Sequence, residues 1–178
     1  MVWRNSDTGY GLTTKLFHWS IALLILVLLG FGTYLAEVKI SIAQLYLYGW
    51  HKSLGLLTFT LILLRIFWRF RSPTPPPLGE KNWQYSLAHY LHRFMYVLMV
   101  LMPLSGWIAS SASGFPISFF GLFPLPLIAP ESEQIETVGF EIHGLIGNLL
   151  LISIVLHLGG ALQRHFVKKD ATLKRMWF

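Results

Sequence analysis

Four apolar stretches, at about Leu16–Ala36, Tyr46–Arg69, Tyr85–Ser110 and Val138–Phe166, constrain this chain more than any other feature of its sequence. Each reaches the roughly 20 residues that cross about 30 Å of hydrocarbon at the helical rise. A segment in lipid must satisfy its own backbone amides and carbonyls, so each stretch is expected to be helical. The fold class that follows is an all-α integral membrane protein: one membrane domain over residues 1–178, built as a four-transmembrane-helix bundle. The first stretch sits where a signal peptide would, but it lacks a small-residue cleavage site and carries His18 and Trp19 at its head. It therefore reads as a retained helix. The balance of 54% hydrophobic against 12% charged residues is likewise that of a membrane protein.

The connections and charges orient the bundle. A proline cluster from Pro73 to Pro77 stops the second helix and makes a short polar link. The link from Ser111 to about Glu136 is longer, aromatic and then acidic, and is expected to lie along the membrane surface. Of the fourteen lysines and arginines, all but Lys39 and Lys52 fall with the two termini and the proline link. Basic residues are retained on the cytoplasmic side during insertion, so both termini are expected to be cytoplasmic, in a multi-pass protein of the bacterial inner membrane. The net charge of +6 is thus a topology signal and implies no nucleic-acid partner.

With no cysteine, thiolate metal sites and iron–sulfur clusters are excluded, and metal chemistry must rest on the seven histidines. Ionisable groups inside membrane spans are costly and by default functional. His18 and His157 fall near the cytoplasmic ends of the first and fourth helices, and His51 and His143 near the outer ends of the second and fourth. His143 and His157 are fourteen residues apart, nearly four whole turns, so both face one direction about 21 Å apart along the axis. Two imidazoles at one depth can ligate a flat macrocycle from both faces. The pairs read as His18 with His157 and His51 with His143, holding two b-type haems stacked across the bilayer. Gly55, Gly147, Gly159 and Gly160 offer either gaps beside these ligands or close helix packing. Arg65 follows His51 by fourteen residues and either pairs with a haem propionate or snorkels to the interface. Lys52 either pairs with a propionate or forms a positive spot over the outer haem. His165 reads as interfacial, and His89, three residues before His92, reads equally as solvated or as functional. Trp19, Trp50 and Trp107 read as interfacial belts.

The segments YGLTTKLFHW, HKSLGLL, RIFWRFRSPTPP, LAHYLH, SGFPISFFGLF, EIHGLIGNLLLISIVLH and RHFVKKDATLKRM occur in order along nearly the whole chain. Together they resemble the bacterial cytochrome b561 family of four-helix di-haem membrane proteins. The resemblance implies haem ligation by His18, His51, His143 and His157 and electron exchange with a quinone, ubiquinone being the expected substrate. It also makes His92 the candidate for a place beside the inner haem or a quinone headgroup. One branch of that family is described as superoxide oxidase. The outer segments of this chain, however, carry five glutamates against Lys39 and Lys52, so the expected electron donor is quinol or a redox protein partner. Two alternatives stand beside this reading. One is the membrane-anchoring cytochrome b subunit of a hydrogenase or formate dehydrogenase. The other is a haem-free divalent-metal transporter, which would need intramembrane carboxylates and broken helices.

Overall fold

The computed structural model describes residues 2–38, 42–78 and 82–178; Lys39 and Lys81, counted above in the charge asymmetry, lie outside the described residues. Its elements in chain order are α1 (Leu12–Glu37), α2 (Ile42–Arg71), α3 (Trp83–Ala112), β1 (Ser118–Phe119), β2 (Phe123–Pro124), α4 (Glu133–Phe166) and the short α5 (Thr172–Met176). The four long helices are each apolar enough to cross a membrane. All start before the apolar stretches do, and for α3 and α4 side-chain caps in the polar interfacial zone set the start. Asn82 accepts a hydrogen bond from the Tyr85 amide to cap α3, and Ser132 accepts from Ile135 to cap α4, whose first turn carries Glu133 and Glu136 at the positive end of the helix dipole.

Only 17–28% of the residues in each apolar window are buried within the protein, and side chains such as Leu23, Leu151 and Val155 point outward. Lipid is as apolar as these side chains, so burial alone does not select the inner faces; close packing and hydrogen bonds must. Packing is tightest within two helix pairs, α1 with α2 and α3 with α4, while α2 touches α3 more lightly. Small residues permit the second pairing. A β-carbon at Gly139 of α4 would lie 2.8 Å from that of Ala109 on α3, an overpacking that costs about 1–3 kcal/mol. At mid-height all four helices meet in one cluster of Ile21, Ile25, Ile62, Leu98, Met99, Ile146 and Leu150.

Each end of the bundle is capped. At one end the link between α3 and α4 forms a small antiparallel hairpin, Ser118 opposite Pro124 and Phe119 opposite Phe123. Its turn places Phe120 at φ 48° and Gly121 at φ 75°. This link does not merely lie along the surface as expected; buried serines of the helices dock it. The Ser53 hydroxyl donates to the Ser118 carbonyl (3.0 Å) and accepts from the Phe120 amide (2.9 Å). Ser110 donates to Phe115 O (2.8 Å), and Ser111 accepts from the Ile128 amide (3.2 Å). At the other end the N-terminal segment, the proline link and the C-terminal segment interlock. Arg175 donates to the Thr8 and Pro76 carbonyls, Arg164 to Leu78 O, Asn5 to Pro73 O and Lys15 to Trp177 O. We call these the hairpin end and the terminal end.

Candidate functional site

The two helix pairs present imidazoles to one another across the seam between them. At the terminal end His18 of α1 meets His157 of α4, with ring centres 6.2 Å apart and planes at 64°. At the hairpin end His51 of α2 meets His143 of α4, with centres 6.3 Å apart and planes at 78°. Two metal–imidazole bonds of about 2 Å, with about 1 Å more from each bonding nitrogen to its ring centre, place axial ligands roughly 6 Å apart. Both pairs have that spacing. His92 also approaches His157, but its centre lies at 5.0 Å, about an ångström short of it. Among the described residues no group of three or more His, Asp or Glu converges as a metal cage.

The surroundings of His51 and His143 have the apolar, glycine-relieved character that a macrocycle needs. An apolar cavity runs inward from the two rings, lined by residues that include Ile25, Gly55, Thr58, Ile62, Met99 and Leu150. A β-carbon at Gly55 would meet nothing within 4 Å, so this glycine faces open space. Two further glycines, not legible as part of the site from sequence, back the rings. A β-carbon at Gly106 of α3 would stand 3.0 Å from Cε1 and Nδ1 of His143, and one at Gly32 of α1 would stand 3.2 Å from Cε1 of His51. Both imidazoles therefore rest against bare helix backbone. The His143 Nδ1 hydrogen bonds to the Met102 carbonyl (2.9 Å), with the Ser105 hydroxyl 3.2 Å away. Carbonyl oxygens only accept, so Nδ1 carries the proton and Nε2 keeps its lone pair, the form a metal needs. Pro103, in the same turn, removes the amide that would have bonded the Met99 carbonyl beside the cavity. His51 Nδ1 is buried without a partner.

The terminal pair lies among cations. Arg65 Nη2 is 3.3 Å from His18 Nδ1, and the Arg65 and Arg69 guanidinium groups each sit 5.5 Å from the Tyr96 ring centre. Arginine has no acceptor, so here His18 Nδ1 offers its lone pair. An imidazole bound through Nε2 carries its proton on Nδ1 instead, and the guanidinium must then turn to another acceptor. His92 Nδ1 donates to Ala88 O (2.6 Å), leaving its Nε2 free. His165, read as interfacial, has a buried Nδ1 without a partner and packs on Phe166; His89 is exposed. Gly159 and Gly160 have no neighbour for a β-carbon, whereas Gly147 packs against Met102. Lys52 does not point to an acid: its ammonium donates to the Ser110 hydroxyl (2.6 Å) under the hairpin. Trp19 and Trp107 do more than belt the membrane, since their indoles donate to Met176 O and Pro126 O and tie down the two caps.

Facing imidazole pairs inside a four-helix membrane bundle define a class, the membrane cytochromes, and comparison with known sequences supplies the family. Residues 9–178 match the family described as prokaryotic cytochrome b561, and the chain belongs to it. It is 32% identical over 185 residues to cytochrome b561 homolog 2 of Escherichia coli (strain K12), covering 99% of this chain and 95% of that protein. It is 31% identical over 157 residues to cytochrome b561 homolog 1 of the same organism, covering 78% and 87%. A Yersinia pestis protein named probable superoxide oxidase CybB is 30% identical over 175 residues, covering 89% and 90%. The protein is thus a haem-binding, membrane-spanning electron-transfer cytochrome of this family.

Proposed function

We propose that the chain is a di-haem cytochrome of the bacterial inner membrane, linked to the quinone pool, with both termini cytoplasmic. His18 with His157 and His51 with His143 would hold the two haems. The observation that carries this reading is the near-identical spacing of the two pairs, 6.2 and 6.3 Å, at opposite ends of the bundle. A bound haem supplies one-electron chemistry at its iron, with potential tuned by its ligands and their surroundings. The residues do the rest. Met102 and Ser105 orient His143, Gly32 and Gly106 seat the rings at the hairpin end, and Arg65 is placed to turn from His18 onto a propionate. Lys52, bonded to Ser110 in this structure, would be the cation available to a propionate at the other level, and His92 stands beside the terminal pair, where a quinone headgroup could meet it. Between the levels the isoleucine, leucine and methionine cluster is wholly apolar. Such a plug suits electron transfer and opposes the hydrated path a metal-ion transporter needs. A pyridine haemochrome assay on purified protein should return about two non-covalent haems per chain; a value near zero removes the reading, and a value near one dissolves the pairing.

Quinol or a redox protein is the proposed donor. The likeness to a protein named probable superoxide oxidase favours superoxide as the second reading. Stopped-flow mixing with superoxide separates them. Haem reduction near the diffusional ceiling of about 10⁸–10⁹ M⁻¹s⁻¹, slowed by salt and by Lys52→Glu, would establish superoxide.

A further inference from the structure

A second cavity, of about 280 Å³, lies at the terminal end outside the imidazole seam, where α1 enters its apolar span. Arg4 and Lys15 line it with the hydroxyl-bearing Ser6 and Tyr10, and Leu12 and Phe178 add apolar surface. No described side chain that lines it is acidic, and Asp7, the acid of this segment, does not line it. Among the described residues the only ion pair is Arg164 with Asp170, and no described carboxylate side chain pairs with either cation in the cavity. The site is built by the fold. The N-terminal segment doubles back so that the Val2 and Trp3 carbonyls accept from the Leu12 and Thr13 amides. Asn5 Oδ1 accepts from the Gly11 amide (2.9 Å) and the Thr14 hydroxyl (2.7 Å), while its amide nitrogen donates to Pro73 O. A β-carbon at Gly11 would fall 2.5 Å from the Arg4 backbone, so the segment bearing Arg4 can lie this close to α1 only because residue 11 is glycine. Lys15 is held by its bond to Trp177 O. Exposed Trp3, Trp177 and Phe178 surround this end, as interfacial aromatics do.

Two cations and two hydroxyls beside an apolar wall, at membrane-surface depth, are complementary to an amphiphile with an anionic phosphate. We propose that this cavity binds the headgroup of an anionic phospholipid, Arg4 and Lys15 holding the phosphate while Leu12 and Phe178 meet the start of the acyl chains. The test uses full-length, haem-loaded protein in neutral detergent, with phosphatidylglycerol as the probe, followed by native mass spectrometry and by the thermal midpoint. One phosphatidylglycerol per chain should be retained over phosphatidylcholine, with saturable stabilisation. Arg4→Gln with Lys15→Gln should raise the half-saturating lipid concentration about tenfold or more. Arg4→Gln alone, a side chain with no hydrogen bond to any described residue, should give part of that loss without unfolding the cap. Lys168→Gln with Lys169→Gln, equal in charge but outside the cavity, should change it little. Equal loss in both double variants would reduce the effect to diffuse surface charge and overturn the site. Equal stabilisation by inorganic phosphate alone would assign the cavity to a soluble phosphate, and displacement of the lipid by a short-chain quinone would assign it to a quinone; either overturns the proposal.

Discussion

At the hairpin end His51 and His143 each rest on a helix glycine, and a carbonyl fixes the proton of His143. At the terminal end His18 faces a guanidinium and His157 faces a third imidazole, His92. One end holds its rings by shape and the other surrounds them with charge. The caps repeat the contrast, since neutral serine hydroxyls dock the hairpin whereas lysine, arginine and asparagine side chains gather the terminal segments. Steric seating tolerates little change of volume, whereas cationic surroundings can reorganise when an anionic group arrives.

The largest test of this contrast removes ligands one at a time. His51→Ala and His143→Ala should each cost the haem of the hairpin end and spare the other, and His18→Ala and His157→Ala should do the reverse, as counted by haemochrome assay. His92→Ala and His165→Ala should retain both. Loss of a haem in His92→Ala, with two retained in His157→Ala, would show that the terminal pair is wrongly assigned.

A smaller effect is expected from the seats themselves. Glycine to alanine inside a helix ordinarily stabilises it by roughly 0.8–1 kcal/mol. At Gly106, and to a lesser degree at Gly32, the new methyl presses on a ring, and overpacking of about 1–3 kcal/mol should reverse the sign. Haem affinity at the hairpin end should then fall roughly tenfold. Gly30→Ala, where a β-carbon meets nothing within 4 Å, should keep the ordinary gain. Equal haem retention in all three variants would mean that the rings are not seated by glycine.

The smallest effect concerns the charge-rich cap. Partial burial opposes ionisation of Asp170, but hydrogen bonds from the Thr172 hydroxyl and amide, together with the Arg164 guanidinium 2.5 Å away, outweigh it and hold the carboxyl below its usual range. A carboxyl whose folded pKa is depressed contributes stability above its unfolded pKa, near 3.9, and loses that contribution as pH falls through the lower folded value. Asp170→Asn should therefore lower the thermal midpoint slightly at pH 7 and flatten its decline below about pH 4. The pair is partly solvated, so the effect should stay under about 1 kcal/mol.

Much of this arrangement could be read from the residues alone. The spans follow from apolar length, and the shared face of His143 and His157 follows from 3.6-residue periodicity, because both lie on one helix. The placement of Arg65 near the terminal pair came from the same arithmetic along α2, and its guanidinium does reach His18. Between helices only matching depth was legible, and not which side chain touches which. Gly32 and Gly106 lie on different helices from the rings they back, and periodicity within one helix carries no information about which residue of a neighbour comes opposite. The hairpin was missed because its strands are two residues each and its docking depends on Ser53, sixty-five positions away from Ser118. Helix starts were placed late because hydropathy marks where hydrocarbon begins, whereas capping by Asn82 and Ser132 decides where the helix does.

The interlocked terminal end also sets an order of events. Lys15 bonds to a carbonyl 162 residues later, Trp19 to one 157 later, and Arg175 reaches back 167 to Thr8. Loops of that length close slowly, and none can close until the final helix has crossed and its tail has emerged. During synthesis the first ten residues wait beside a membrane already holding most of the bundle. This cap is therefore the last seal of the molecule and never its nucleus, so a lesion there should leave the helices inserted and show itself as an end that opens.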